Sequence, residues 1–431
     1  MIAPDRTKAP SIKQIAHFSI QKPVRQTLTN GMQLNIINAG SEDVVRFDLL
    51  IHSGQLEQTQ PLQAMFVNRM LREGTSTFKS TEIAQRLDYY GAWLDLSSSI
   101  NCGFITLYSL GKYFPQTIEV LASMVKEPVF PEHELKVVTD MNKHQFMVNN
   151  QRVDILARKR FNQSLFGKEH PLGHFAILED YDRITVDTLR TFYNKYYSSQ
   201  NASAYISGNV TEEVLKCIEK HFGSEPWGNQ NPLEICQWTE PATSKEKQVF
   251  IEKEDALQSS IKMGCFAPAR EHEDYLDLRV LTTLFGGYFG SRLMSNIRED
   301  KGYTYGIIAG VLSYPHCSVL GISSEADNQY VKPLIQEVYN EMDRLCNEKV
   351  PANELEMVRN YMLGDMCRAY EKAFSLSDAW IYIETGNLKE DFFDRSVTSI
   401  REVTAERLQE LAQKYFRKEQ LIEVVAGKKY E

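Results

Sequence analysis

Phe130-Pro131-Glu132-His133-Glu134-Leu135 and Val350-Pro351-Ala352-Asn353-Glu354-Leu355 are two versions of one phrase, with Glu134 and Glu354 separated by 220 residues. Ile184-Thr185-Val186-Asp187-Thr188-Leu189 recurs as Val403-Thr404-Ala405-Glu406-Arg407-Leu408. Lys195-Tyr196-Tyr197 recurs as Lys414-Tyr415-Phe416, and the apolar run closing on Gly208 recurs as the run closing on Gly427, all at an offset of 219. Matched segments in the same order at a nearly constant offset argue for two copies of one domain. The period is far too long for a solenoid, whose units run to about 20–50 residues. A site built where two such copies face each other would draw on both. The copies can also diverge, one keeping chemistry and the other holding substrate.

The bulk properties agree with this division. A chain of 431 residues exceeds what a single core organises, so two domains of about 200 residues each are expected. Net charge is −9 and the pI is near 5.6, which argues against non-specific nucleic-acid binding, a property of basic surfaces. The seven cysteines, Cys102, Cys217, Cys236, Cys265, Cys317, Cys346 and Cys367, are scattered and contain no Cys-x-x-Cys. They fit a reducing compartment better than a disulfide framework. The start of the chain lacks a basic segment followed by an apolar one, and no stretch reaches 18 apolar residues. The expectation is a cytoplasmic protein with no membrane partner.

Along the chain, residues 1–23 read as a polar arm. Residues 24–222 read as the first domain, 223–246 as a linker rich in Gly, Pro, Asn and Gln, and 247–431 as the second domain. In the first domain, Gln26 to Ala39 predicts a hairpin turning at Asn30-Gly31, and Val44 to His52 a sheet strand. Helices are predicted at Gln63 to Arg72 and Ser80 to Tyr90, followed by strands on both sides of Asn101-Cys102-Gly103. Further helices are expected near 113–126, 132–149, 152–165 and 185–197, and a strand at Ala202 to Gly208. The second copy opens with strands at 247–252 and 259–265 and ends in the strand Ile422 to Ala426. Runs of strands and runs of helices in each half predict an α+β fold: two homologous domains, each a largely antiparallel sheet packed with helices.

Two constellations bear on chemistry. The segment Ala64 to Thr75 resembles the zinc helix of the pitrilysin/insulinase family, the inverzincins, whose motif is H-x-x-E-H with the Glu as general base. The apolar strand and Ser53-Gly54 before it, and Met70-Leu71 and Gly74-Thr75 after it, match. The functional positions do not. Met65 stands in place of the first His, Asn68 in place of the Glu, and Arg69 in place of the second His. Gln145, within one residue, stands in place of the third ligand, a Glu. Neutral carboxamides, a permanent cation and a thioether leave neither zinc ligands nor a base. The bland reading of Gln63 to Arg72, a half-buried helix, is preferred.

The second constellation is intact. Leu284-Phe285-Gly286-Gly287-Tyr288-Phe289-Gly290-Ser291-Arg292-Leu293 leads into Met294 to Gly306. It looks like the C-terminal half-motif of the same family: a glycine turn (Gly286, Gly287, Gly290) with Ser-Arg-Leu, then an Arg and a Tyr seven residues apart. Leu293 to Arg298 reads as a helix ended by Lys301-Gly302. Tyr303 to Ala309 reads as a strand with Tyr303 and Tyr305 on one face, so Arg298 and Tyr305 can converge. The resemblance implies that this pair reaches substrate from the domain opposite the zinc, the Arg gripping it and the Tyr donating to the carbonyl oxygen or oxyanion. The rival reading makes Arg298 a surface ion-pair partner of Glu299 or Asp300 and Tyr305 a core aromatic. The whole motif, inside a repeat copy of the correct order, favours the functional one.

Other signals are weak. Gly286-Gly287-x-x-Gly290 is not followed by Gly-Lys-Ser/Thr, so it is not a phosphate loop. His170 and His174 are separated by Pro171 and Gly173 in a loop. Cys265 has no His partner and reads as a buried strand residue, and the acidic runs Glu252 to Asp255 and Glu271 to Asp274 as solvated loops or helix starts.

The resemblance covers about residues 24–430. It implies a metallopeptidase LuxS/processing-peptidase-like fold and the non-catalytic, alpha-type subunit of a two-subunit processing peptidase. This chain would hold no metal itself, and zinc would sit on a sister chain of similar length with an intact H-x-x-E-H. A peptide would be the substrate, and in isolation the chain could pair with itself. The alternative, from a different class, is a stand-alone peptide-binding or scaffold protein like the family's core subunits in the respiratory chain.

Overall fold

A computed structural model describes residues 7–8, 19–231, 233 and 238–429. Most of the expected arm, and Pro232 and Cys236 of the expected linker, lie outside the described residues.

The first half runs β1 (Val24–Thr27), β2 (Gln33–Asn38), β3 (Val44–Ile51), α1 (Gln63–Met70), α2 (Ser80–Tyr89), β4 (Trp93–Ser98) and β5 (Gly103–Leu110). It continues through α3 (Phe114–Lys126), α4 (Glu132–Asn149), α5 (Val153–Phe166), α6 (Val186–Tyr196), β6 (Ala202–Gly208) and α7 (Glu212–Ile218). The second half runs β7 (Gln248–Glu252), β8 (Gln258–Ala267), α8 (Tyr275–Thr282), β9 (Thr304–Ser313), β10 (Ser318–Asp327) and α9 (Val331–Asn347). It ends with α10 (Ala352–Ala369), α11 (Ala373–Thr385), α12 (Phe392–Glu402), α13 (Ala405–Tyr415) and β11 (Ile422–Gly427). The sequence reading assigns nothing to α7, which is too short to announce itself by periodicity. Its start is written in one residue: Thr211 caps it by accepting from the Val214 N–H.

The first sheet has the order β1-β2-β6-β3-β5-β4 and the second β7-β11-β8-β10-β9. In each, one pair is parallel (β2 with β6, β7 with β11) and every other pair is antiparallel. The fold is therefore α+β with two largely antiparallel, helix-covered sheets. The hairpin of β1 and β2 turns through Gly31 at φ +90°, a conformation open to glycine at little cost.

Each sheet has a core of its own. Phe47, Phe66, Phe114 and Phe222 anchor one, and Phe285, Ile297, Leu334 and Leu408 the other. Two further apolar clusters join the halves. Helix α5 of the first half packs across β8 and β11 of the second, where Ala157, Phe161 and Leu165 meet Val319, Ile422 and Val424. Helix α11 of the second half packs across β2 and β6 of the first, where Leu376, Ala379 and Trp380 meet Ile37, Leu50 and Tyr205. Each half thus lends a helix to the other's sheet.

Polar contacts fix this exchange. Arg46 on β3 donates to Asp48 at 2.9 Å, to Asp378 of α11 at 2.6 Å and to the Phe374 carbonyl at 3.2 Å. Glu384 of α11 accepts from Ser203 and from Tyr205 at 2.5 Å, and His52 Nε2 lies 3.3 Å from it.

Candidate functional site

The Arg298–Tyr305 half-site rests on one helix and one edge strand. Residues Met294–Asp300 form a wide helical turn rather than the regular helix expected, and Lys301 N–H closes it on the Asn296 carbonyl at 3.1 Å. The Asn296 carboxamide, tied to Glu337 and Glu341 of α9, holds this turn against its neighbour. Gly302, at φ +67°, ends it. Strand β9 begins at Thr304, one residue later than the sequence suggests, and forms the outer edge of its sheet.

At the start of β9 the ladder slips. Thr304 pairs with Ala326 and Ile307 with Ser324, so Tyr305 and Gly306 together oppose Glu325 alone. The slip is pinned by Thr304 Oγ1 donating to the Glu325 carbonyl at 2.6 Å and Ser324 Oγ donating to the Gly306 carbonyl at 2.9 Å. A bulge of this kind breaks the inward–outward alternation and re-aims a side chain. The Tyr305 ring is 91% exposed as a result, which removes the core-aromatic reading. Tyr303, half-buried, stacks on Tyr330 with ring centroids 5.0 Å apart.

Arg298 is held beside it. Its Nε donates to the Tyr305 carbonyl at 3.0 Å, and its guanidinium lies 4.6 Å from the centre of the Phe289 ring. Glu299 is 3.8 Å from Nη1, a loose contact next to these two. The fork is oriented before any ligand arrives, with no hydrogen bond to Nη2 among the described residues. Arg298, Tyr303, Tyr305, Tyr330, Glu299 and Asp327 line a hollow of about 610 Å³, to which only the second half contributes.

The glycine turn packs behind this half-site. A Cβ on Gly286 would lie 2.7 Å from the Ala309 Cβ and 2.8 Å from its backbone nitrogen, so glycine is what lets the turn touch β9. A Cβ on Gly290 would lie 2.9 Å from the Tyr288 ring, and one on Gly287 would make a tight 3.3 Å contact with the Thr283 side chain. Arg292 reaches Glu354 through Nε at 2.8 Å and Nη2 at 2.9 Å. That two-pronged ion pair ties the motif to α10, through a residue of the repeated phrase.

The four positions that the sequence reading takes as a degenerate zinc site, Met65, Asn68, Arg69 and Gln145, lie elsewhere. Helix α1 is largely buried, with Arg69 its exposed residue. Asn68 is buried and donates to the Phe104 carbonyl at 3.3 Å, and Arg69 donates to Asn142 of α4 at 2.5 Å. Gln145 donates to Asn149 at 3.0 Å. Met65 and Gln145 line one hollow of about 830 Å³, which α4, α5 and the loop before α1 enclose and which Tyr314 of the second half closes. No residue lines both this hollow and that of Tyr305. The donor set does not fit zinc: a thioether, two carboxamides and a guanidinium offer no anionic or imidazole ligand. Among the described residues, no three His, Cys, Asp or Glu side chains gather as a metal site.

The weaker signals resolve structurally. His170 is buried in a loop, accepts from the Leu172 N–H at 3.0 Å and stacks on Phe166. Cys265 lies buried in β8, and burial pushes its thiol up to about 11. In the acidic run Glu271 to Asp274, Asp274 stands at the start of α8, one of the two readings, but it is not solvated. It is buried and accepts from Arg407, Lys414 and Tyr415 of α13 at 2.5–2.6 Å. Burial raises its pKa, but those three hydrogen bonds outweigh burial and hold the carboxyl below its ordinary range. The sequence carried a hint of this cluster, since the repeated phrases at 403–408 and 414–416 supply all three donors.

Comparison with known proteins gives consistent likenesses. Residues 35–170 match the family described as Insulinase (Peptidase family M16), and residues 183–362 the Peptidase M16 inactive domain. The uncharacterized zinc protease YmxG of Bacillus subtilis is 24% identical over 407 residues, covering 93% of this chain and 98% of that one. An uncharacterized zinc protease of Rickettsia bellii is 25% identical over 370 residues, 83% of this chain and 84% of its own. Among solved structures, a peptidase M16 inactive domain from Pseudomonas fluorescens superposes with a TM-score of 0.83 at 20% identity, over 96% of this chain and 99% of that one. A protease from Helicobacter pylori superposes with a TM-score of 0.85 at 18% identity, over 94% and 99%.

Proposed function

The chain belongs to the insulinase (M16, pitrilysin) family, and on that premise we propose that it is a non-catalytic, substrate-binding subunit of a heterodimeric zinc peptidase. The zinc, its activated water and the general base would belong to a sister chain with an intact H-x-x-E-H. This chain would contribute Arg298 and Tyr305. The observation that carries the reading is the preserved, outward-facing half-site. A bulge presents the Tyr305 hydroxyl to solvent, and Arg298 is oriented against its backbone. Two of the four positions read as former zinc positions, Met65 and Gln145, line a separate hollow, and none of the four carries a zinc-ligand side chain.

The chemistry asked of these residues is limited. Tyr305 donates its hydroxyl to the substrate oxygen that gains charge in the tetrahedral intermediate. Such a donor is worth about 3–4 kcal/mol when it acts in the transition state. Arg298 presents its remaining N–H groups to a substrate carbonyl or carboxylate. Closure of the second half over the substrate excludes water and strengthens both contacts.

The test mixes the purified chain with the zinc-bearing sister and follows cleavage of a quenched fluorescent peptide. Activity is expected from the mixture and from neither chain alone. Tyr305→Phe should lower kcat by about 10²–10³, and Arg298→Ala should raise KM as well. Full activity with Tyr305→Phe would replace this reading with that of a scaffold.

A further inference from the structure

The hollow that holds Met65 and Gln145 has a lining of its own character. Gln55, Gln58, Asn142, Gln145, Asn149 and Asn162 face it, and a single carboxylate, Glu169, stands among its residues. On α5, two consecutive cations, Arg158 and Lys159, also face it. Neither forms an ion pair among the described residues. Lys159 is half-buried. Its ammonium lies 4.6 Å from the centre of the Phe146 ring and 5.9 Å from that of Phe175, and it donates to Asn150 at 2.6 Å. Burial lowers its pKa and Arg158 lowers it further.

A partly desolvated cation with no counter-ion is costly, and it is retained where something else supplies the charge. Two aromatic faces and one carboxamide hold the Lys159 ammonium in place, so it is positioned for a ligand rather than waving in solvent. Carboxamides both donate and accept, which suits the alternating N–H and C=O groups of a peptide backbone.

We propose that this hollow binds a peptide carboxylate, with Lys159 and Arg158 taking the anion and the surrounding Asn and Gln side chains taking the adjoining backbone. A chain terminus and an acidic side chain offer the same group. The proposal extends the substrate-binding reading by naming what the chain holds, and it is measured without a partner. Its failure would therefore leave the Arg298–Tyr305 test untouched, and the reverse is also true.

The experiment uses the full chain and fluorescence anisotropy with N-terminally labelled twelve-residue peptides (about 40 Å when extended) built of Gly, Ser, Gln and Phe. One has a free C-terminal carboxylate, one is C-terminally amidated, and one is amidated with a single internal Glu. The free acid should bind about tenfold more tightly than the plain amide, the weight of one charge-assisted hydrogen bond, and the difference should shrink as salt is raised. Lys159→Met keeps the stem between the rings and should erase the difference, whereas Lys159→Arg should retain most of it. Arg158→Gln, at an exposed position, should reduce it in a chain of unchanged melting temperature. If the Glu-bearing amide matches the acid, side-chain carboxylates are read; if only the acid binds tightly, the terminus is. Equal binding of acid and amide, a difference that survives Lys159→Met, or no binding of any of the three peptides would overturn the proposal.

Discussion

Asp274 shows how much a single carboxylate can do in this fold. Its two oxygens gather Arg407, Lys414 and Tyr415 and join the start of α8 to α13. In the unfolded chain the same group protonates near a pKa of about 3.9; folded, it stays ionised to lower pH. The unfolded state therefore takes up the proton first as the solution is acidified. Stability from this group is complete above that range and is lost as the pH falls through the depressed folded value. Asp274→Asn should lower stability at pH 7 by about 2–3 kcal/mol and flatten the acid side of the stability profile. Chemical denaturation at pH 7, and in steps downward from about pH 4 through the range below the unfolded pKa, checks both, and an unaltered pH slope there would contradict the assignment. Gly286 makes a different demand. Its site beside Ala309 has no room for a methyl group, so Gly286→Ala should cost about 1–3 kcal/mol and weaken the Tyr305 half-site by pushing β9 outward. Thermal melts and the mixed-enzyme assay report the two effects.

The exchanged helices matter most among the elements. Helices α5 and α11 each leave their own half and cover the other's sheet, so neither sheet is complete without the distant part of the chain. Trp380 sits at the centre of one contact, buried against the first half, with its indole N–H donating to the Gln21 carbonyl at 2.8 Å. Trp380→Ala should cost about 3–5 kcal/mol. Because the residue bridges two cores, both should melt at a lower temperature together. Two separate transitions in calorimetry of the unsubstituted chain would show that the exchange does not couple them.

For the whole molecule, the two hollows are separate, and that sets the expectation for metal content. Elemental analysis of the purified chain should find no stoichiometric zinc, because Met65, Asn68, Arg69 and Gln145 supply no ligand set. One tightly held zinc per chain, lost on mutation of α1, would refute this. Among the described residues no helix is long and apolar enough to cross a membrane.

The repeated phrases, the glycine turn and the H-x-x-E-H positions are local signals. Spacing along the chain by itself determined the α+β class and most strands and long helices of the first half, because periodicity is written residue by residue. The resemblance carried by the quoted motifs added the family, the reading of Met65, Asn68, Arg69 and Gln145 as former zinc positions, and the choice of Arg298 and Tyr305. Only the tertiary structure decided how they are presented. The bulge opposite Glu325 depends on a ladder between β9 and β10, and a one-residue slip there turns a tyrosine from core to solvent without changing a letter. The burial of Asp274, the exchange of α5 and α11 and the setting of Lys159, which has no carboxylate partner among the described residues, were likewise settled by contacts between distant segments. Whether a charge is paired is a property of three-dimensional neighbours, and no local pattern records it.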